Sequence, residues 1–114
     1  MAFAIYTRDK PGHQPVRDAH RAAHYAYLQQ HQHRLIASGG LQDDAGAEML
    51  GGLIIIDVDT VEAVRKFVEE DPFTVAGLFE EVDIVRWKIA FFDGRRVTGW
   101  PIAGDEAEPA KSGI

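Results

Sequence analysis

The sequence predicts an α+β domain of ferredoxin-like βαββαβ order, an antiparallel sheet with both helices on one face. Two stretches of strong helix formers each follow an apolar, strand-like run, which is the alternation of a split βαβ unit. Leu53, Ile54, Ile55 and Ile56 follow one another without a polar break, the pattern of a strand buried on both faces. At 114 residues the chain suits one domain, and its 46% hydrophobic and 26% charged residues give a globular balance.

The elements follow in order. "AFAIYTRD", Ala2 to Asp9, is apolar and aromatic until charge ends it, and predicts the first strand. "KPGHQP" is loop, since two prolines and a glycine interrupt any ladder. From Val16 or Arg17 to about Arg34 there is neither glycine nor proline, and alanine is frequent, so the first helix lies there. Its expected buried stripe holds Ala23, Tyr27 and Gln30 or Arg34, with Ala19 and Ala26 nearby. "LIASGGLQDD" predicts a strand broken at Gly39 and Gly40, "AGAE" a polar turn, and "MLGGLIIIDVD" the central strand. In "DTVEAVRKFVEED", Asp59 or Thr60 is positioned to cap a helix whose stripe is Val61, Val64, Phe67 and Val68, and Pro72 ends it. "PFTVAGLFEE" predicts a short helical turn, and "VDIVRWKIAFF" a last strand reaching Phe91. From Asp93 the composition turns to glycine, proline, acid and small residues. The expected division is a domain over 1–92 and a tail over 93–114, flexible or docking through Trp100 and Pro101.

Composition also excludes functions. The net charge is −6 with no run of basic residues, so the electrostatic footprint of a nucleic-acid binder is missing. With no cysteine there is no disulfide, thiolate nucleophile or zinc–cysteine site. "MAFAIYTRDK" lacks the basic start and long apolar run of a signal peptide, and no segment approaches the roughly 20 apolar residues of a membrane span. The expected location is cytoplasmic, with no membrane partner. Helices on one side leave the isoleucine-rich sheet with an apolar outer face. A second copy through that face, a homodimer, is its expected cover.

"RAAHYAYL", Arg21 to Leu28, resembles the arginine, small, small, histidine, apolar, two further residues, leucine motif in the first helix of the YCII-related (YciI-like) proteins. "RLIASGGL" is similar to their following strand, "DPFTVAGLFEEVDI" to their aspartate–proline–aromatic segment, and "RWK" to the end of their last strand. The likeness runs from about Ala4 to Phe91 in the same order. It implies a ferredoxin-like fold assembled as a dimeric α-β barrel, and an active site formed by His24 and Asp71. The sequence departs from the family at Ala22, where proline is frequent, and at Gly39-Gly40, where glycine-proline is usual.

The pair that the resemblance implies makes chemical sense. Imidazole is the side chain whose ordinary pKa, about 6.5, lets it take and return a proton near neutrality. A carboxylate accepting its other ring N–H fixes the tautomer and stabilises the imidazolium. No nucleophilic cysteine or serine elbow accompanies them, which favours isomerisation, elimination or proton abstraction beside a carbonyl over acyl transfer. Arg21, Tyr6, Tyr27, Gly39 and Gly40 are the candidate substrate-binding residues.

Other histidines suggest less. His20 and His24 share a helix face as metal-binding imidazoles do, yet Arg21 stands where metalloproteases carry glutamate and no third ligand is evident, so no metal is expected. His31 and His33 lie two apart and cannot share a face. His13 sits in the proline–glycine loop. Two classes of function stay open: a cofactor-free isomerase, lyase or dehydrohalogenase acting on a small aromatic or carbonyl compound, and a non-catalytic dimeric binding or accessory module in which the pair is structural.

Overall fold

The computed structural model describes residues 1–97. The four long strands are β1 (Ala2–Asp9), β2 (Leu35–Gln42), β3 (Met49–Asp57) and β4 (Phe79–Arg86). Between them lie α1 (Gln14–Gln30), α2 (Val61–Glu70) and the one-turn α3 (Pro72–Val75), and a small hairpin of β5 (Phe91–Phe92) and β6 (Arg95–Arg96) follows. The sheet order is β2-β3-β1-β4 with every pairing antiparallel, the α+β, ferredoxin-like arrangement that the sequence predicts. Of the expected tail, residues 98–114, Trp100 and Pro101 among them, lie outside the described residues.

Register explains where the core sits. Ile5 on β1 is flanked by Ile54 on β3 and Ile84 on β4, so these side chains share one face of the pleat. Phe3, Ile5, Ile54 and Ile56 from that face meet Leu28 of α1 and Val64 and Phe67 of α2, all buried. Burying a side chain of this size is worth about 1.5–3 kcal/mol, and this cluster is what holds both helices to the sheet.

The ends of α2 set up the site. Thr60 is extended, and its hydroxyl accepts the Ala63 N–H at 3.0 Å, closing the first turn. At the other end Pro72 holds Asp71 in an extended conformation, φ −62° and ψ 128°, because a residue before proline is disfavoured in helix. Asp71 therefore ends α2 and starts α3, its carboxylate accepting the Phe73 N–H at 2.9 Å.

Four details differ from expectation. The first helix begins at Gln14 with Pro15 in its first turn, where a missing N–H costs nothing, and stops at Gln30 before a separate 3-10 turn, Gln32–Arg34. Its buried residues are Arg17, His24 and Leu28, with Tyr27 half-buried, whereas Ala19, Ala23, Ala26, Gln30 and Arg34 face solvent. An alanine methyl offers little area to bury, and Arg17 and His24 go inside because each meets a carboxylate there. Strand β2 runs through Gly39 and Gly40 without a break, paired to Leu53 and Gly52. Finally β4 stops at Arg86, and Phe91 belongs to the hairpin, which turns at Asp93 and Gly94, both in the left-handed region.

Candidate active site

A cavity of about 130 Å³ opens between α1, the α2–α3 junction and the glycine-bearing ends of β2 and β3. An apolar cavity of roughly 150 Å³ holds one benzene ring, so this space is the size of a small cyclic molecule. His24, Asp71, Arg17, Tyr25, Thr7 and Ser38 are its polar lining side chains, and Phe73 is one of its aromatic walls.

His24 and Asp71 are 8% and 3% exposed, and the imidazole Nδ1–H donates to Asp71 Oδ1 at 2.8 Å. Because the carboxylate accepts at Nδ1, the geometry assigns the proton to that nitrogen. Nε2 then has no protein partner among the described residues and belongs to a side chain lining the cavity. The imidazole also stacks on Phe73, centroids 4.0 Å apart and planes 16° from parallel. Three restraints thus hold the ring: its helix, the carboxylate and the phenyl face. The same Asp71 oxygen accepts the Phe73 N–H, so the phenyl wall and the imidazole are positioned by one atom.

Arg17 lies two helical turns before His24 and so on the same face of α1. It is 5% exposed and bound by Asp9 in fork geometry, Nε to Oδ2 at 2.7 Å and Nη2 to Oδ1 at 2.9 Å. Nη2 also donates to the Gly51 carbonyl at 3.2 Å, and the guanidinium carbon lies 4.8 Å from the Phe73 ring centre. Bidentate pairing of this kind fixes orientation as well as charge.

The candidates from the sequence separate into two groups. His24, Asp71, Gly39 and Gly40 meet at the cavity. Arg21 lies outside its lining and pairs with Asp18 at 2.6 Å on the surface of α1. Tyr6 projects from the outer face of the sheet, 38% exposed, at a shallow cleft with Arg8, Lys10 and His13. The Tyr27 hydroxyl donates to the Phe67 carbonyl at 2.9 Å, and burial, with help from Glu70 and Asp71, pushes its pKa up to about 12. It acts there as a neutral clamp between α1 and α2. Among the described residues no cluster of three or more His, Asp or Glu is placed to hold a metal.

Sequence reasoning passed over Arg17 and Tyr25. The signal for Arg17 was its spacing of two full turns from His24, a longer interval than the one-turn spacing that drew attention to His20. Tyr25, 57% exposed beside His24, also lines the cavity, and only the fold brings it there.

The fold has relatives among known proteins. The profile of the YCII-related domain matches residues 1–88. The chain is 30% identical over 98 residues to Protein YciI of Escherichia coli O6:H1 and of Shigella flexneri, covering 80% of this chain and 100% of each relative. An uncharacterised protein of Haemophilus influenzae is 28% identical over the same shares. Among solved structures it is similar to 5-chloro-2-hydroxyhydroquinone dehydrochlorinase (TftG) from Burkholderia phenoliruptrix in complex with 2,5-dihydroxybenzoquinone, at TM-score 0.74 and 37% identity, covering 77% of this chain and 94% of that one.

Proposed function

Since the chain belongs to the YCII-related family, we propose that it is a cofactor-free enzyme that moves protons on a small cyclic or carbonyl compound. The observation that carries the reading is a buried imidazole whose Nδ1 is held by a carboxylate while Nε2 is left to a ring-sized cavity. His24 acts as general base and then general acid. Asp71 keeps the tautomer and stabilises the imidazolium during the transfer.

The reaction class follows from what such a site can do. Nε2 takes a proton from a hydroxyl or from carbon beside a carbonyl, and the electron pair moves into the conjugated system. The proton is returned at another carbon, giving an isomer, or the electron pair expels a halide and hydrogen halide is lost. The similarity to a dehydrochlorinase at 37% identity supports the second outcome. We further infer a homodimer closed through the outer face of the sheet, where Tyr6, Leu53 and Val85 stand exposed.

The test is chloride release from 5-chloro-2-hydroxyhydroquinone, together with exchange of substrate carbon-bound hydrogen into D2O. Turnover or exchange that His24→Gln lowers by about 100- to 10,000-fold supports general acid–base work. Neither turnover nor exchange by the wild-type protein, across halogenated and unhalogenated hydroxyquinols, sinks it.

A competing reading has its own observation. Asp71 also serves as the cap of α3, so its bond to His24 has a structural use as well. A non-catalytic binding module would bind ring compounds without exchanging their hydrogens.

A further inference from the structure

The guanidinium of Arg17 has donors that the protein does not use. Nε–H and both Nη2 hydrogens are taken up by the Asp9 carboxylate and the Gly51 carbonyl, leaving the Nη1 group without an acceptor among the described residues. Among the described residues the sealed, unpaired side-chain atoms are His31 Nδ1 and Thr74 Oγ1, and Nη1 is not one of them. A side chain 95% removed from solvent that still keeps a free, unsealed amino group, and that lines the cavity, has that group available to whatever occupies the cavity. Leaving a donor unpaired in such a place is costly unless a ligand or water takes it.

We propose that Arg17 is the anion-binding group of this cavity, and that its substrates are small planar compounds whose conjugated oxygen becomes negatively charged, as a phenolate or enolate, when His24 removes a proton. This rests on the acid–base reading of His24. The charge arrangement argues for it. With a neutral substrate, the cavity sits between a neutral imidazole backed by Asp71 and a guanidinium backed by Asp9. Transfer of one proton to Nε2 leaves its electron pair on the substrate, delocalised to the oxygen. The line then reads Asp71 negative, His24 positive, substrate negative, Arg17 positive, Asp9 negative. Total charge is unchanged, and every charge has opposite neighbours. A site with fixed donors aimed at charge that develops during reaction is the arrangement that lowers a barrier most. Phe73, touching both His24 and Arg17, sets the flat wall against which such a ring lies.

The probes are 4-nitrophenolate at pH 8.5 and its neutral, similarly shaped counterpart 4-nitroaniline. Both are coloured, so affinity and ionisation state are read by absorbance, and the His24 ring resonances are followed by NMR. Wild type is expected to prefer the phenolate by about 10- to 100-fold, the worth of a charge-assisted hydrogen bond. Arg17→Gln should abolish the preference and Arg17→Lys keep part of it. Arg17→Gln strands Asp9, so the double variant Asp9→Asn/Arg17→Gln, which leaves no unpaired charge, is measured beside it and should also lose the preference. A wild type without preference for the phenolate, or a folded double variant that keeps it, overturns the role of Arg17. If His24 resonances still respond to the neutral probe in that case, the acid–base reading survives. If they respond to neither probe, both proposals fall.

Discussion

His24 on α1 and Asp71 at the junction of α2 and α3, 47 residues apart in sequence, meet at 2.8 Å inside the protein. One oxygen of Asp71 serves two donors, the imidazole and the Phe73 N–H, so only its charge can be removed without touching the cap. Asp71→Asn keeps that oxygen but not the charge that fixes the Nδ1–H tautomer and stabilises the imidazolium. It should lower turnover by about 100- to 10,000-fold with a small loss of stability. Asp71→Ala removes the cap as well, at a further cost of about 1–2 kcal/mol. Thermal melts beside chloride-release rates check both, and an Asn variant that retains full turnover refutes the orienting role.

The fold was legible because its signals are local and repeated. The isoleucine run, the 3- and 4-residue spacing of Val61, Val64, Phe67 and Val68, and Pro72 each dictate structure by sterics and burial alone, and β3, α2 and the start of α3 lie where they indicate. The inward face of α1 departs from expectation because two of its three buried residues, Arg17 and His24, are polar. Hydrophobic periodicity has no means of recognising an arginine that is buried by a fork-shaped bond to Asp9. The end of β4 was misread for a related reason. Ile89 and Phe91 continue an apolar rhythm past Arg86, but β1 begins at Ala2 and offers them nothing to pair with, so Phe91 pairs with Arg96 in the hairpin. Of the site, His24 and Asp71 follow from family resemblance, and the cavity beside them depends on tertiary placement that no spacing encodes.

Gly51 shows how tightly the floor of the cavity is built. A Cβ there would run into the Thr7 carbonyl on the neighbouring strand, and the nearest atoms are all backbone of Thr7 and Arg8, with no flexible side chain to yield. A Cβ at Gly39 would meet nothing within 4 Å. Gly51→Ala should therefore cost about 1–3 kcal/mol, the usual penalty of overpacking, while Gly39→Ala leaves folding nearly unchanged. Denaturant melts of the two variants compare them directly, and equal stabilities would contradict the close approach of β1 and β3 at this point.

The outer face of the sheet carries Tyr6, Leu53 and Val85 at 38%, 38% and 58% exposure, with the apolar groove of Ala37, Leu53 and Ile55 beside them. Exposed apolar area on this scale is costly in water and is relieved by association. Light scattering at micromolar concentration should give twice the 12.6 kDa chain mass, and Leu53→Lys, which places an ammonium in the middle of the face, should shift the protein toward monomer. A wild-type monomer under these conditions removes the proposed dimer.

His31 provides a pH dependence separate from the active site. Its ring packs against Tyr27 and edge-on to Phe67, and its Nδ1 is sealed without a hydrogen-bond partner. Burial first, then the nearby Arg34 and His33, hold its pKa below the ordinary 6.5, with Glu70 opposing them. The unfolded chain thus binds this proton more readily than the folded one. Stability from the neutral ring is complete above pH 6.5 and declines as pH falls from there through the lowered folded value, because the imidazolium must leave its aromatic contacts or go unpaired. Replacing the ring with His31→Gln removes the titrating group. The melting temperature of wild type, measured from pH 8 to pH 5, should fall more steeply below about 6.5 than that of the variant, whose other histidines still titrate. Parallel curves for the two proteins would show that His31 takes up its proton equally in both states, and the sealed ring would carry no acid sensitivity.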